Sequence, residues 1–277
     1  MKIIYSGSYL QKLTEDMDLE IFKKKMKNKI ELLFVTLKDK ITGKSIRFTT
    51  PSETPLWRAQ TLYTKELVTI EWIRSFDENK IFFDVGANVG VYSIFSATIS
   101  NVKVFSFEPE SNNFQVLMEN ILLNNLKNKI TAYPLGLSNK TELSKLYISS
   151  FTQGSSHHNV GETVDHNLQQ RKFDYEQGIF STSLNDLINR WKLPVPNYLK
   201  IDVDGLEYKI IEESLSILND RNLESVLIEI NPNRKEDKKI INTFKECGFS
   251  YDNQQVEKAT RIDGPHKGYA EYLFFRK

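Results

Sequence analysis

From about residue 70 the chain alternates short, almost wholly apolar runs with longer segments of helical periodicity. The apolar runs are IFFDV (81–85), VKVFSFE (102–108), ITAYPL (130–135), YLKIDV (198–203) and SVLIEI (225–230). Runs of that kind suit central strands covered on both faces, and their alternation with helices predicts βαβ units around a mainly parallel sheet. Between the second and third runs, SNNFQVLMENILLNNL reads as a helix with Ser111 as N-cap. Its Phe114, Leu117, Met118, Ile121 and Leu122 recur at helical spacing and predict one apolar stripe on the sheet. EYKIIEESLSIL predicts a second helix, and a third ends at Cys247 with Gly248 as its cap. The tail offers two more strands, FSYDNQQV and EYLFFRK, expected to close the sheet with an antiparallel edge hairpin.

Two segments break this rhythm. Residues 1–55 hold the basic run FKKKMKNK and a hairpin candidate, ELLFVTLKDKITGKSIRFTT, and read as a small N-terminal extension with little core of its own. Residues 56–277 then form the main domain. The stretch 151–178 is polar and without clear period, which predicts a lid or a disordered loop.

Charge narrows the function. Lys+Arg 37 against Asp+Glu 36 leaves a net charge of +1, so no global field draws in nucleic acid. The single cysteine, Cys247, excludes an internal disulfide and fits a reducing compartment. With no signal-like stretch and no long apolar run, the chain reads as cytoplasmic without an integral membrane segment.

The stretch IFFDVGANVGVYS (81–93) is laid out as a nucleotide-binding strand, glycine turn and helix, yet it places Asp84 directly before the glycines. A dinucleotide fingerprint reads G-x-G-x-x-G; counted from Gly86, its later glycine positions hold Asn88 and Val91. A carboxylate beside a diphosphate is repelled, by roughly 4 kcal/mol for two unit charges about 4 Å apart at an effective dielectric near 20. The same carboxylate attracts a cationic ligand such as S-adenosylmethionine. Glu108, closing the next strand about 20 residues on, is placed to accept from both ribose hydroxyls. Asp202, in LKIDVDG, ends a further central strand at the same crevice, with Asp204 two residues on.

In combination, FDVGANVGVYS, FSFEPESNNFQVLMENILLNN, STSLNDLI and LKIDVDGLEYKII resemble the FkbM family of S-adenosylmethionine-dependent methyltransferases over roughly residues 57–232, and WRAQTLYTKELVTIEWI looks like the lead-in of polysaccharide-associated members. The resemblance implies an α/β class I methyltransferase fold with a Rossmann-like sheet of seven strands, and O-methylation of a hydroxyl, often on a sugar. It implies that Asp84, Gly86, Ala87 and Asn88 surround the methionine part of the cofactor, with Glu66 a further candidate there. Glu108 then holds ribose, Leu137 and Ser138 flank adenine, and Asp202 borders the donor.

A neutral sugar hydroxyl is a poor nucleophile, so a base is expected: Asp202 first, then His157 and His158 in the polar segment. Trp57, Arg58, Trp72 and His157 are candidates for the acceptor side. No metal is expected, although Asp202, Asp204 and Glu229 or Asn231 end neighbouring strands. The leading reading is a carbohydrate O-methyltransferase acting on a surface polysaccharide or nucleotide-linked sugar, in a chain compatible with a homo-oligomer. The alternatives are methylation of another hydroxylated metabolite (polyketide or lipid), a nicotinamide-dependent oxidoreductase, and a binding module without chemistry.

Overall fold

The structure, a computed structural model, describes residues 33–173 and 175–276; the run FKKKMKNK lies outside the described residues. Strands β1 (Phe34–Lys38) and β2 (Ser45–Thr49) form the antiparallel hairpin, followed by helices α1 (Glu53–Gln60) and α2 (Leu67–Arg74). The alternating pattern then yields β3 (Ile81–Val85), α3 (Val91–Ile99), β4 (Lys103–Phe107), α4 (Ser111–Leu123) and β5 (Ile130–Tyr133). Four strands follow: β6 (Gly136–Leu137), β7 (Glu142–Ile148), β8 (Asn159–Val160) and β9 (Tyr175–Thr182). The last part holds α5 (Leu184–Asn189), β10 (Tyr198–Ile201), α6 (Glu207–Glu212), α7 (Leu215–Leu218), β11 (Ser225–Ile230), α8 (Lys235–Glu246), β12 (Phe249–Ser250), α9 (Asn253–Ala259) and β13 (Ala270–Arg276).

The main sheet has seven strands in the order β12-β13-β11-β10-β3-β4-β5, all parallel except that β13 runs antiparallel to both its neighbours. After β3 the chain moves outward through β4 and β5, then returns to lay β10 on the other side of β3. That reversal opens a crevice beyond the carboxyl ends of β3 and β10, where ligands of open α/β sheets bind. One apolar cluster packs around Phe83, Phe107, Leu199 and Phe244, a second around Phe82, Phe95, Val104 and Leu117. Ile46 and Phe48 of the hairpin belong to the second cluster, so this part of the extension shares the domain's core.

Five sequence expectations need correction. Helix α4 is capped by Glu110, whose carboxylate accepts from the Asn112 and Asn113 N–H groups, and Ser111 is its first residue. Its inward face is Asn113, Val116, Leu117, Asn120 and Ile121, while Met118 and Leu122 are exposed. The asparagines turn inward because neighbouring backbone needs partners. Asn120 accepts from Thr49 N–H (2.7 Å) and donates to the Val89 carbonyl (2.8 Å); Asn113 accepts from Gly154 N–H (2.6 Å) and donates to the Ser155 carbonyl (3.1 Å).

EYKIIEESLSIL is two helices rather than one, broken where the buried Ser214 hydroxyl donates back to the Ile210 carbonyl (2.5 Å). FSYDNQQV is a strand for two residues only; Asp252 then accepts from Gln254 N–H (2.8 Å) and starts α9. Finally, 151–178 is not wholly a loop: it contributes β8 and the start of β9 to a second, four-stranded sheet, ordered β6-β9-β7-β8, with its own small core of Leu146, Ile148 and Ile179. That sheet carries the segment from Ser155 to His158 back over the crevice.

Candidate active site

The turn after β3 spends its backbone donors internally. Gly86 and Ala87 N–H both go to the Phe107 carbonyl (3.0 and 3.1 Å), Asn88 N–H to the Glu108 carboxylate (2.7 Å), Val89 N–H to the Asn88 side chain (2.9 Å), and Gly90 N–H to the Ala87 carbonyl (2.8 Å). None of these five is left to cradle a phosphate. Gly86 is needed for a different reason: its φ is +78°, and a Cβ there would lie 1.9 Å from the Asp202 carbonyl oxygen, across the switch point. Asn88 holds φ +51° without glycine.

Glu108 sits at the tip of β4 with each oxygen accepting one backbone bond, from Asn88 N–H and from Glu110 N–H (2.8 Å). Burial pushes its carboxyl up to about 7 against those two bonds. It borders a cavity of about 60 Å³ walled by Leu137, Val203 and Leu206. His158 lines the same cavity. Its Nδ1 accepts from Ser149 N–H (3.2 Å), burial pulls its ring below the usual histidine range, and its buried Nε2 has no partner among the described residues. A neutral ring with Nδ1 engaged as an acceptor carries its proton on Nε2, which makes His158 a poor base as it stands.

Asp84 does not reach the crevice. It is 1% exposed, and its Oδ2 accepts from the Ser93 hydroxyl in the first turn of α3 (2.5 Å), which in turn contacts the Ser106 hydroxyl (2.7 Å). Burial raises its carboxyl, opposed by the Lys200 ammonium. The negative lip expected at Asp84 is formed instead by Glu66 and Asp202. Ser138 also stands apart: its N–H donates to the Thr182 carbonyl (2.9 Å) and it faces away from the Leu137 cavity.

A wider cleft of about 320 Å³ opens beside the turn over the ends of β10 and β11, lined by Trp57, Arg58, Glu66, His157, Asp202 and Glu271 among others. Trp72 is absent from it; that ring is core, packed edge-on to Phe76 and Phe82 with its N–H donating to Ser225 (2.8 Å). Glu66 accepts from Tyr92 (2.5 Å) and pairs with Lys65 (2.5 Å); burial raises its carboxyl, but Lys65 brings the net below the usual range. Burial likewise pushes Asp202 up, and Lys200 at 2.7 Å overrides it and holds the carboxyl at about 2.

Asp204 contacts His157 twice, accepting from its backbone N–H (2.6 Å) and lying 3.3 Å from Nδ1; this bond raises the imidazole above its ordinary value. The ring of His157 stacks on His266 (5.2 Å between centroids), which stands 4.3 Å from His166. His157 and His266 thus line the cleft, with His166 against them and His158 on the neighbouring cavity. Sequence reasoning missed Lys200, Arg261, His266 and Glu271. Lys200 had a signal, a lone lysine inside the apolar run YLKI; Glu271 lies on β13, a strand the pattern read, and Arg261 and His266 lie in the loop before it, where periodicity carries no signal.

The donor set fits S-adenosylmethionine. A carboxyl group beside an apolar slot suits a ribose diol and a purine, and carboxylates by the turn suit an ammonium. Among the described residues no group of three or more His, Cys, Asp or Glu is arranged to hold a metal ion, and no helix is long and apolar enough to cross a membrane.

Sheet order and site together define a class I methyltransferase, a Rossmann-like enzyme dependent on S-adenosylmethionine. The chain belongs to the FkbM methyltransferase family, whose domain (Methyltransferase FkbM domain) matches residues 84–251. It is 25% identical over 207 residues to hexuronic acid methyltransferase AglP of Haloferax volcanii, covering 74% of this chain and 79% of that protein. Solved structures similar in fold include TYW2 of M. jannaschii in complex with AdoMet (12% identity, TM-score 0.45, 89% of this chain and 88% of that one). Another is SMU.1697c, a putative methyltransferase from Streptococcus mutans in complex with SAH (12% identity, TM-score 0.47, 77% and 98%). Membership of this family sets aside the nicotinamide-dependent reading.

Proposed function

We propose that the protein transfers a methyl group from S-adenosylmethionine to a hydroxyl of a carbohydrate acceptor, a sugar unit of a polysaccharide or of a nucleotide-linked precursor. The observation that carries the reading is the polar cleft next to the cofactor turn, where an exposed indole, Trp57, and hydrogen-bonding side chains surround a volume suited to one sugar ring. The hexuronic acid named for the Haloferax relative is in keeping with it. An apolar polyketide or lipid acceptor fits this charged lining poorly.

When bound, S-adenosylmethionine supplies a methyl carbon already activated by positive sulfur. The chain's own residues do the rest. Glu108 holds the ribose hydroxyls, Leu137 and Leu206 enclose the base, and Glu66 with the Gly86–Asn88 turn receives the methionine end. His157 takes the proton from the acceptor hydroxyl, with Asp204 fixing the ring through Nδ1 and leaving Nε2 toward the cleft. Asp202, the first candidate from sequence, is a weak base once paired with Lys200, and it acts as a wall of the site. The test is incubation with methyl-labelled cofactor and a panel of glycans and nucleotide sugars. Label on a sugar hydroxyl supports the reading; label only on non-carbohydrate acceptors overturns it.

A further inference from the structure

The charged groups of the cleft cancel in pairs, with one exception. Lys65 meets Glu66 (2.5 Å), Lys200 meets Asp202 (2.7 Å), Arg261 meets Glu229 (2.6 Å) and His157 meets Asp204 (3.3 Å). Glu271 accepts from the Thr69 hydroxyl (2.8 Å), and burial with the nearby Glu66 pushes it up to about 8, so it is largely neutral near pH 7. Arg58 alone has no carboxylate within ion-pair distance among the described residues. Its Nε donates to the Gly154 carbonyl (2.6 Å), which fixes the guanidinium plane, and the side chain lines the cleft with neither terminal nitrogen bonded to another group among the described residues.

This placement is built. Gly154 holds φ +79°, a conformation that favours glycine, and a Cβ there would press on Pro55 of α1 at 3.1 Å, so glycine suits the turn that brings its carbonyl to Arg58. Asn113 accepts from Gly154 N–H, and Asn113 and Asn88 both donate to the Ser155 carbonyl (3.1 and 2.7 Å). A guanidinium held at Nε presents a two-pronged edge that matches a carboxylate. Arg58 also lines the smaller hollow directly over the Gly86–Val89 turn, next to Glu66 and Tyr92.

We infer that Arg58 is the anchor for a ligand carboxylate, the part of the bound molecules that the cleft's paired charges do not serve. The carboxylate has two sources: the amino-acid end of the methyl donor, or an acidic sugar acceptor. The second source rests on the carbohydrate reading above; the first does not.

Calorimetry on the full chain separates them, using S-adenosylhomocysteine and 5′-methylthioadenosine, which keeps the nucleoside and thioether but lacks the carboxylate. Saturation-transfer NMR with methyl glucuronoside and methyl glucoside, at saturating S-adenosylhomocysteine, covers the acceptor. If the donor is the source, Arg58→Ala weakens S-adenosylhomocysteine by about tenfold or more, leaves methylthioadenosine unchanged, and Arg58→Lys falls between. If the acceptor is the source, S-adenosylhomocysteine binding is unchanged and Arg58→Ala loses a preference for the glucuronoside that the parent shows. Equal weakening of both thioethers, or no change in thioether binding together with no preference to lose, overturns the assignment. Selective loss of S-adenosylhomocysteine binding without any sugar binding assigns the anchor to the donor and removes the acceptor as its source.

Discussion

Asp84 and Lys200 stand opposite each other on neighbouring parallel strands, one on β3 and one on β10, with Asp202 two residues further along reaching back to the same ammonium at 2.7 Å. Lys200 is 2% exposed in the middle of a central strand, a place where an unpaired charge is not tolerated. Its neighbours explain its presence. Burial lowers the ammonium's affinity for its proton, and Asp202, Asp84 and Glu66 more than restore it, so the group stays charged. One cation thereby sets the ionisation of the whole crevice floor.

Replacing that cation should therefore be costly. Lys200→Met leaves Asp84 buried and Asp202 without its partner, and about 3 kcal/mol or more of stability should be lost at pH 7. The sign of the pH response is the sharper check. Without Lys200 the folded-state carboxyl values rise above those of the unfolded chain, so the variant should regain stability relative to the parent as pH falls. Urea titrations at pH 5 and pH 7.5 measure this, and an equal deficit at both would contradict the arrangement.

Gly86→Ala tests the switch point. The added methyl meets the Asp202 carbonyl at 1.9 Å in a backbone of positive φ. Strain and overlap together should lower stability by roughly 2–4 kcal/mol, seen as a drop in Tm or in soluble yield.

Much of the sheet was legible because its central strands are apolar on both faces, and a run such as IFFDV has few other fates. The second sheet was not, because β7 and β9 are two-sided: Leu143 is 88% exposed while Leu146 and Ile148 face inward, which blurs the period. Helix α4 was legible as a helix, but its inward face was not, since pattern reasoning has no way to see that Asn113 and Asn120 serve backbone elsewhere. At the site, the carboxylate at Glu108 and the turn at Gly86 could be read from spacing. What Asp84 does could not: the same residue type suits a pocket lip and a buried partner for Ser93, and burial decides between them.

Glu108→Gln addresses cofactor recognition. It removes the charge that strengthens acceptance from a diol and places an amide donor beside Asn88 N–H or Glu110 N–H. Affinity for S-adenosylhomocysteine by calorimetry should fall about tenfold or more, and Tm should fall as well, because one buried backbone N–H loses its acceptor. Unaltered affinity would move the ribose elsewhere.

The His157–Asp204 pair predicts a pH profile. A base must be neutral, and Asp204 raises the imidazole above 6.5, so kcat/KM should climb with pH along a limb centred above that value. Asp204→Asn removes the raising influence and should shift the limb downward, while His157→Gln should abolish it and cut kcat about a hundredfold or more. For stability the sign reverses: the ion pair contributes fully below the unfolded histidine value and is lost as pH rises through the folded one. A limb unmoved in Asp204→Asn would assign the titration to another group.

The most direct test of the whole account is the chemical nature of the methylated product. With methyl-labelled S-adenosylmethionine and acidic and neutral glycans as acceptors, the label should appear on a sugar as an ether that survives mild alkali. A label released by mild alkali, the mark of a methyl ester on a carboxylate, or a label carried only by a molecule without a sugar, would contradict it.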